Sequence, residues 1–447
     1  VLVVPDGPFG HDESIYALKA RSWVEGTPDT GWAIYRPLGL SWLGVLVLVV
    51  SDAEIAFRTV AIVLSGATIG TMFAAGRVFF DRSTAIMGTL AFMSTASFLR
   101  RATEFLNDVV AAGFLLAAMM VIWFHFERHP RSWWLLLAAP FGAGAYYFRY
   151  GSAVPLALIA VIAALTWHRS LLSSWRQILG TAGLLGALLI PHFVLALDAT
   201  GSPLGIFATA RTAVGGGGGG LADYIGWLPS HLAGPVGTAL LALSLAYTGV
   251  VMWRSRTEAG LRCEVHTVMF TVTTAIVVTI ALGAFTHGEP RFIFLPLMLA
   301  LVTGARAITQ TWRLLAPRAA RVTGALALVV LLAGFAAGTW HMATGLGGLT
   351  DARLVLVESS EAIRTDAAGA ACVVRSSYVP QLTWYSECAT YTFSQPMPEA
   401  PTRYFVLFSN GKRQPTGADL DQATAETEGS PFVVIDDPYD RIGDASI

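Results

Sequence analysis

Apolar runs long enough to cross a bilayer recur along most of this chain. A spanning helix needs about 17–25 predominantly apolar residues. Such runs fall at Ile55–Phe79, Ala85–Leu99, Val109–Phe126, Trp133–Phe148, Ser152–Trp167, Ile178–Leu197, Pro235–Trp253, Val265–Phe285, Phe292–Thr309 and Val322–Trp340. Only 13% of the residues are charged, against roughly 25% in a soluble domain, so the surface must face lipid. The expected fold is an all-α polytopic membrane protein of about 10–11 spans. The run Leu38–Val50 is too short to span comfortably and is expected to be interfacial or re-entrant. Val1–Val4 reads as the tail of a helix whose start is missing. The net charge of −1 argues against nucleic acid, whose phosphates require a basic surface.

Arginine fixes the expected orientation. Arg77 and Arg82 share one loop, Arg128 and Arg131 another, and Arg169 and Arg176 a third. Arg254, Arg256 and Arg262, then Arg306, Arg313, Arg318 and Arg321, complete the series. Every second loop is Arg-rich if Leu38–Val50 does not cross, which places these loops in the cytoplasm. Residues 5–54, 100–108, 149–151, 198–234, 286–291 and everything after about 341 then lie outside. The chain is expected in the plasma (inner) membrane, with a membrane domain over 1–345. A small extracytoplasmic α/β domain follows over 351–447. There, short β-rich runs (Ala371–Arg375, Tyr404–Phe408, Phe432–Ile435) alternate with helix-like stretches (Arg353–Thr365, Ala418–Thr427), the pattern of a small α/β domain. Cys372 and Cys388 both fall in it, where a disulfide is expected. Cys263 lies at a cytoplasmic helix end and is expected as a free thiol.

Four polar clusters interrupt the apolar chain, all on the outer side by this topology. They are His11-Asp12-Glu13 with Tyr16; Arg100, Arg101, Glu104 and Asp108; His287-Gly288-Glu289-Pro290-Arg291-Phe292; and Tyr35-Arg36-Pro37-Leu38. Ionisable residues at membrane depth are costly and are functional candidates by default. Adjacent acids supply a general base for a hydroxyl nucleophile, and outward Arg residues supply bidentate donors for phosphate. Each has a plainer reading too: a solvated loop or N-cap for Asp12 and Glu13, an N-cap for Asp108, and a snorkelling cation for Arg291. Arg36 before Pro37 could simply anchor the interfacial segment.

The order Asp12-Glu13-x-x-Tyr16, then Arg36-Pro37-Leu38, then an Arg/Glu-rich stretch ending in Asp108 resembles the GT-C superfamily of glycosyltransferases. Within it the pattern is similar to the protein O-mannosyltransferases and the aminoarabinose transferases of lipid A. The element His287-x-Glu289-x-Arg291-Phe292 resembles the His-Lys-Glu-x-Arg-Phe signature of dolichol-phosphate-mannose-dependent mannosyltransferases, with Gly288 where that signature has Lys. The resemblance implies transfer of a sugar, mannose first and a pentose second, from a polyprenyl-phosphate carrier, by single displacement with inversion. The acceptor would be a glycolipid, polysaccharide or protein hydroxyl on the outer side. It implies Asp12 as catalytic base, Glu13 orienting the acceptor or Asp12, and Asp108 as the second-loop acid. Arg291, supported by Arg100 or Arg101, would bind the carrier phosphate, with His287 and Glu289 positioning it; Tyr16 and Arg36 belong to the same set of substrate-binding candidates.

Two other classes stay open on the sequence. A secondary transporter or lipid flippase would place charges near the bilayer midplane, often in repeats, and no repeat is evident. A non-catalytic assembly subunit would need no converging acids and Arg. No metal-ligand spacing occurs, although paired acids leave dependence on a divalent cation open. No P-loop is present. The run Gly215–Gly220 reads as a flexible linker or as a loop that orders on substrate. Trp32, Trp42, Trp133, Trp134, Trp227 and Trp340 fit interfacial belts.

Overall fold

A computed structural model describes residues 7–213, 219–314, 317–410, 415, 417–439 and 441–447. The opening Val1–Val4 and most of the Gly215–Gly220 run lie outside the described residues. The helices are α1 (His11–Glu25), α2 (Gly39–Leu48), α3 (Glu54–Phe79), α4 (Arg82–Met93), α5 (Ala96–Arg101), α6 (Asp108–Arg128), α7 (Ala138–Phe148), α8 (Ala153–Thr166) and α9 (His168–Leu171). They continue with α10 (Trp175–Thr200), α11 (Gly205–Ala213), α12 (Gly220–Trp227), α13 (Gly234–Arg254), α14 (Arg262–Phe285), α15 (Phe294–Leu314), α16 (Pro317–Ala367), α17 (Val379–Ser386) and α18 (Ala418–Thr427). The described residues form two compact units.

One unit gathers Ile62–Thr103 and Asn107–Met342 and is helical. Its centre is α15, packed against α4, α13 and α14. In the most apolar 18-residue window of Pro290–Arg313 89% of residues are buried, whereas in that of the helical run His168–Thr200 only 6% are. The first is therefore a core helix and the second a lipid-facing one, its Leu179, Ile190 and Val194 exposed. Glycine permits the closest crossing: a Cβ on Gly304 of α15 would lie 2.1 Å from the Leu240 carbonyl of α13. Small residues at such crossings let helices approach without a hydrophobic drive.

Among the described residues six helical stretches are long and apolar enough to cross a membrane: Glu54–Phe79, Asp108–Arg128, His168–Thr200, Gly234–Arg254, Arg262–Phe285 and Pro290–Arg313. The chain is an integral membrane protein. Four of the ten expected spans look different. Ala85–Leu99 divides into α4 and α5; Trp133–Phe148 begins as a 3-10 turn before α7; and the helix ending at Thr166 is short. The fourth, Val322–Trp340, lies within α16, which continues unbroken through the expected domain boundary near 345 to Ala367. Gly345, Gly347 and Gly348 fall at this boundary, but no proline does, so no backbone donor is lost and the helix runs on. α2, at 10 residues, measures about 15 Å, half a hydrocarbon core.

The other unit gathers the described residues of Val1–Ala61, Glu104–Leu106 and Ala343–Ile447. Strands β1 (Cys372–Arg375), β2 (Ala389–Tyr391) and β3 (Thr402–Phe405) form a parallel sheet in the order β2-β1-β3. β4 (Leu407–Phe408), β5 (Val434–Ile435) and β6 (Ala445–Ser446) form an antiparallel one in the order β4-β6-β5. Cys372 is bonded to Cys388, tying β1 to the turn before β2. The α/β segment packs on the N-terminal segment. Arg21 donates to the Trp384 carbonyl at 2.8 Å and stacks 3.4 Å from its ring. Phe57 meets Phe9, Phe105 and Trp384 edge to face, and Phe9 and Trp384 meet at a tilt.

Candidate active site

In the unit that holds the sheets, the acids of the first cluster begin α1, where they complement the helix dipole. Glu13 is 2% exposed. Its Oε2 accepts from the Gly10 N–H at 2.8 Å and its Oε1 from the Phe105 N–H at 3.0 Å. Arg58 and Arg353 stand 3.5 and 3.6 Å from the carboxylate. The Gly10 contact is the reciprocal half of a capping box. A Cβ on Gly10 would meet Arg353 Nη2 at 2.8 Å, so the Arg353 guanidinium lies close against this turn. With four donors around it, Glu13 fixes the helix start that carries Asp12. Asp12 is less enclosed: its Oδ1 accepts from Arg36 Nη1 at 3.0 Å. Burial works against the Arg36 charge, but Tyr16, one turn after Asp12, and Asp12 itself outweigh it and raise the guanidinium pKa. Asp12, Tyr16 and Arg36 thus form one group.

The helical unit holds a second group. Asp108 is the first residue of α6, after Asn107, and is 4% exposed. Its carboxylate faces two guanidiniums rather than capping the helix: Arg149 Nη1 lies 3.2 Å from Oδ1 and Arg291 Nε 3.7 Å from Oδ2. Arg291 also pairs with Glu289 through Nε, and His287 Nε2 lies 3.0 Å from the other Glu289 oxygen. Burial would raise the Glu289 carboxyl, but Arg291 and His287 outweigh it and hold it below the usual range. The Arg149 guanidinium sits 4.2 Å from the centre of the Phe292 ring. Asp108, Arg149, Arg291 and Phe292 border a cavity of about 20 Å³, room for about one water. Arg100 and Arg101 end α5, the first exposed and the second half-buried. α5 packs against the turn Pro290–Ile293 that carries Arg291.

The structure therefore joins Asp108 to Arg291, Glu289 and His287, and joins Asp12 to Arg36 and Tyr16. Arg149, Arg58 and Arg353 were not singled out from sequence. A signal existed for two of them. Arg149 is a cation on the Arg-poor side of a span, and Arg58 interrupts an apolar run. Among the described residues no group of three or more His, Cys, Asp or Glu gathers as a metal site.

The chain is thus a polytopic membrane protein with ion clusters built on the ends of its apolar helices. Residues 35–194 match the family model of dolichyl-phosphate-mannose-protein mannosyltransferase. The fold is similar to that of ArnT from Cupriavidus metallidurans bound to undecaprenyl phosphate. That match has a TM-score of 0.69 and 13% identity, over 99% of this chain and 95% of that one. The apo state of ArnT matches with a TM-score of 0.63 and 14% identity, over 95% and 85%. The apo oligosaccharyltransferase of Archaeoglobus fulgidus matches with a TM-score of 0.58 and 12% identity, over 86% of this chain and 61% of that one. No curated protein matches the sequence. The fold is that of the GT-C superfamily of glycosyltransferases.

Proposed function

We propose that this chain is a membrane glycosyltransferase that takes a sugar, mannose first, from a polyprenyl-phosphate carrier and passes it to an acceptor hydroxyl on the extracytoplasmic side. The observation that carries this is the meeting of Arg149 and Arg291 on the buried Asp108 at the ends of apolar helices. Two guanidiniums held in place there suit a phosphate arriving on a lipid, since each offers planar, bidentate donors. The mannosyltransferase family match and the undecaprenyl phosphate held by a protein of the same fold support a carrier of that class.

The chemistry follows from the groups present. The acceptor oxygen attacks the anomeric carbon from the face opposite the phosphate. The bond from that carbon to the phosphate oxygen breaks, and the configuration inverts. Asp12 takes the acceptor's proton. Arg291 and Arg149 stabilise the negative charge that grows on the departing polyprenyl phosphate. Glu289 and His287 hold Arg291, and Glu13 holds the turn of Asp12. Phosphate leaves readily as an anion, so no strong general acid is needed. The acceptor is a glycolipid, polysaccharide or protein hydroxyl. The charges gather at helix ends and not at midspan, which disfavours a transporter.

The test is sugar transfer from polyprenyl-phosphomannose by the purified protein in lipid, with a panel of acceptors and of other donor lipids. Asp12→Asn is expected to lower turnover by about 10²–10⁴-fold while carrier binding persists. Turnover unchanged in Asp12→Asn would remove the base from Asp12, and no transfer from any donor would remove the transferase.

A further inference from the structure

The helical unit contains a larger cavity at the opposite end of α6 from Asp108. It measures about 400 Å³. Its floor is aromatic: Phe126, near the end of α6, and Trp167, just after α8, stack with centroids 5.4 Å apart and planes 10° from parallel. Its rim carries Arg169, Ser170 and, at the start of α14, Arg262. Glu127 is the one carboxylate bordering it, and that group is already engaged. Its Oε1 accepts from Trp167 Nε1 at 2.5 Å and lies 2.6 Å from His266 Nδ1. Among the described residues neither Arg169 nor Arg262 has an ion-pair partner. The cavity therefore presents two uncompensated guanidiniums and a hydroxyl above an aromatic floor. The apolar side chains of Leu165 and Leu172 beside it are 71% and 87% exposed.

We propose that this cavity binds a phosphate group, supplied by the head of an anionic phospholipid. Arg169 and Arg262 would donate to the phosphate oxygens and Ser170 would add a neutral donor. The stacked rings would cover the glycerol, while Leu165 and Leu172 would lie along the acyl chains. Basic pockets between spans, on the Arg-rich side of a membrane protein, suit lipid head groups. Such a site stands apart from the Asp108 cluster and does not depend on the transfer reaction. A free phosphate could use the same donors, and the experiment separates the two sources.

The full-length protein is reconstituted with phosphatidylcholine alone or mixed with phosphatidylglycerol, released into detergent, and weighed by native mass spectrometry. Retention of phosphatidylglycerol over phosphatidylcholine is expected. Arg169→Gln/Arg262→Gln should lower it about tenfold or more, the loss of at least one charge-assisted hydrogen bond. Arg169→Lys/Arg262→Lys should keep much of it, with thermal melting showing that both variants are folded. A second arm adds inorganic phosphate. Displacement of the lipid at millimolar phosphate would assign the donors to a free phosphate, and no displacement would assign them to the lipid head. Equal retention of phosphatidylglycerol by wild type and the Gln variant, or retention of phosphatidylcholine as strong as that of phosphatidylglycerol, would overturn the site.

Discussion

Arg149 illustrates why an ion pair at a membrane edge cannot be read from one residue at a time. Asp108 and the His287–Phe292 element stood out because ions are rare in an oily chain. Arg149 sits in a three-residue loop with no motif around it, although it bonds the same carboxylate as Arg291. Its planar group lies against Phe292, a contact that an ammonium reproduces poorly. Arg149→Lys is therefore expected to raise the KM for the lipid donor about tenfold, one charge-assisted hydrogen bond's worth, with a smaller effect on kcat. Steady-state kinetics over donor concentration measure this, and an unchanged KM would remove Arg149 from the phosphate site. The place of Glu13 was hidden for a related reason. Phe105, Arg58 and Arg353, which surround it, are scattered through the chain, and no local pattern announces their meeting.

Elements followed the length of their hydropathy pattern. Long apolar runs such as Val109–Phe126 and Val265–Phe285 became α6 and α14 with only small shifts at their ends. β2 and β6, at three and two residues, are too short to carry an alternation, and α17 lay among residues with no clear period. The crossing of α13 and α15 is likewise invisible in hydropathy, because it depends on the absence of one methyl group. Gly304→Ala would drive a Cβ onto the Leu240 carbonyl and should destabilise the helical unit by about 1–3 kcal/mol, read as a lower melting temperature in detergent. Gly226→Ala, where a Cβ meets nothing within 4 Å, is the matched control, and equal melting of the two would show that the crossing tolerates the methyl.

The loop before β6 depends on pH in a defined sense. Asp437 Oδ2 accepts from the N–H groups of Arg441, Ile442 and Gly443 at 2.7, 2.9 and 3.1 Å. Burial would raise this carboxyl, but the backbone donors, Ile442 first, outweigh it and hold it below the usual range. A carboxyl depressed by folding adds stability above its unfolded pKa, and that stability is lost as pH falls through the folded value. Asp437→Asn should thus lower the melting temperature by a few degrees at pH 7. The gap to wild type should close as pH drops below the ordinary carboxylate range. A gap independent of pH would mean that the loop does not rely on the ionised form.

Across the whole molecule, the alternation of Arg-rich and Arg-poor loops bears on which side is expected to supply the acceptor. α13 joins the two kinds of loop. Before it lies the segment around Ser202, poor in Arg; after it come Arg254 and Arg256, with Arg262 opening α14. At 21 residues, α13 measures about 31 Å, the thickness of the hydrocarbon core, so its two ends lie in different aqueous phases. Lys and Arg bias loops toward the cytoplasm, so Thr257 is expected inside and Ser202 outside. Both residues are exposed, and Cys263 is the one cysteine outside the Cys372–Cys388 bond. In a Cys263→Ser background, a membrane-impermeant maleimide should label Ser202→Cys in intact cells and reach Thr257→Cys only after permeabilisation. The reverse pattern would invert the molecule, carry the Asp108 cluster to the cytoplasmic face, and make a cytoplasmic acceptor the one to seek.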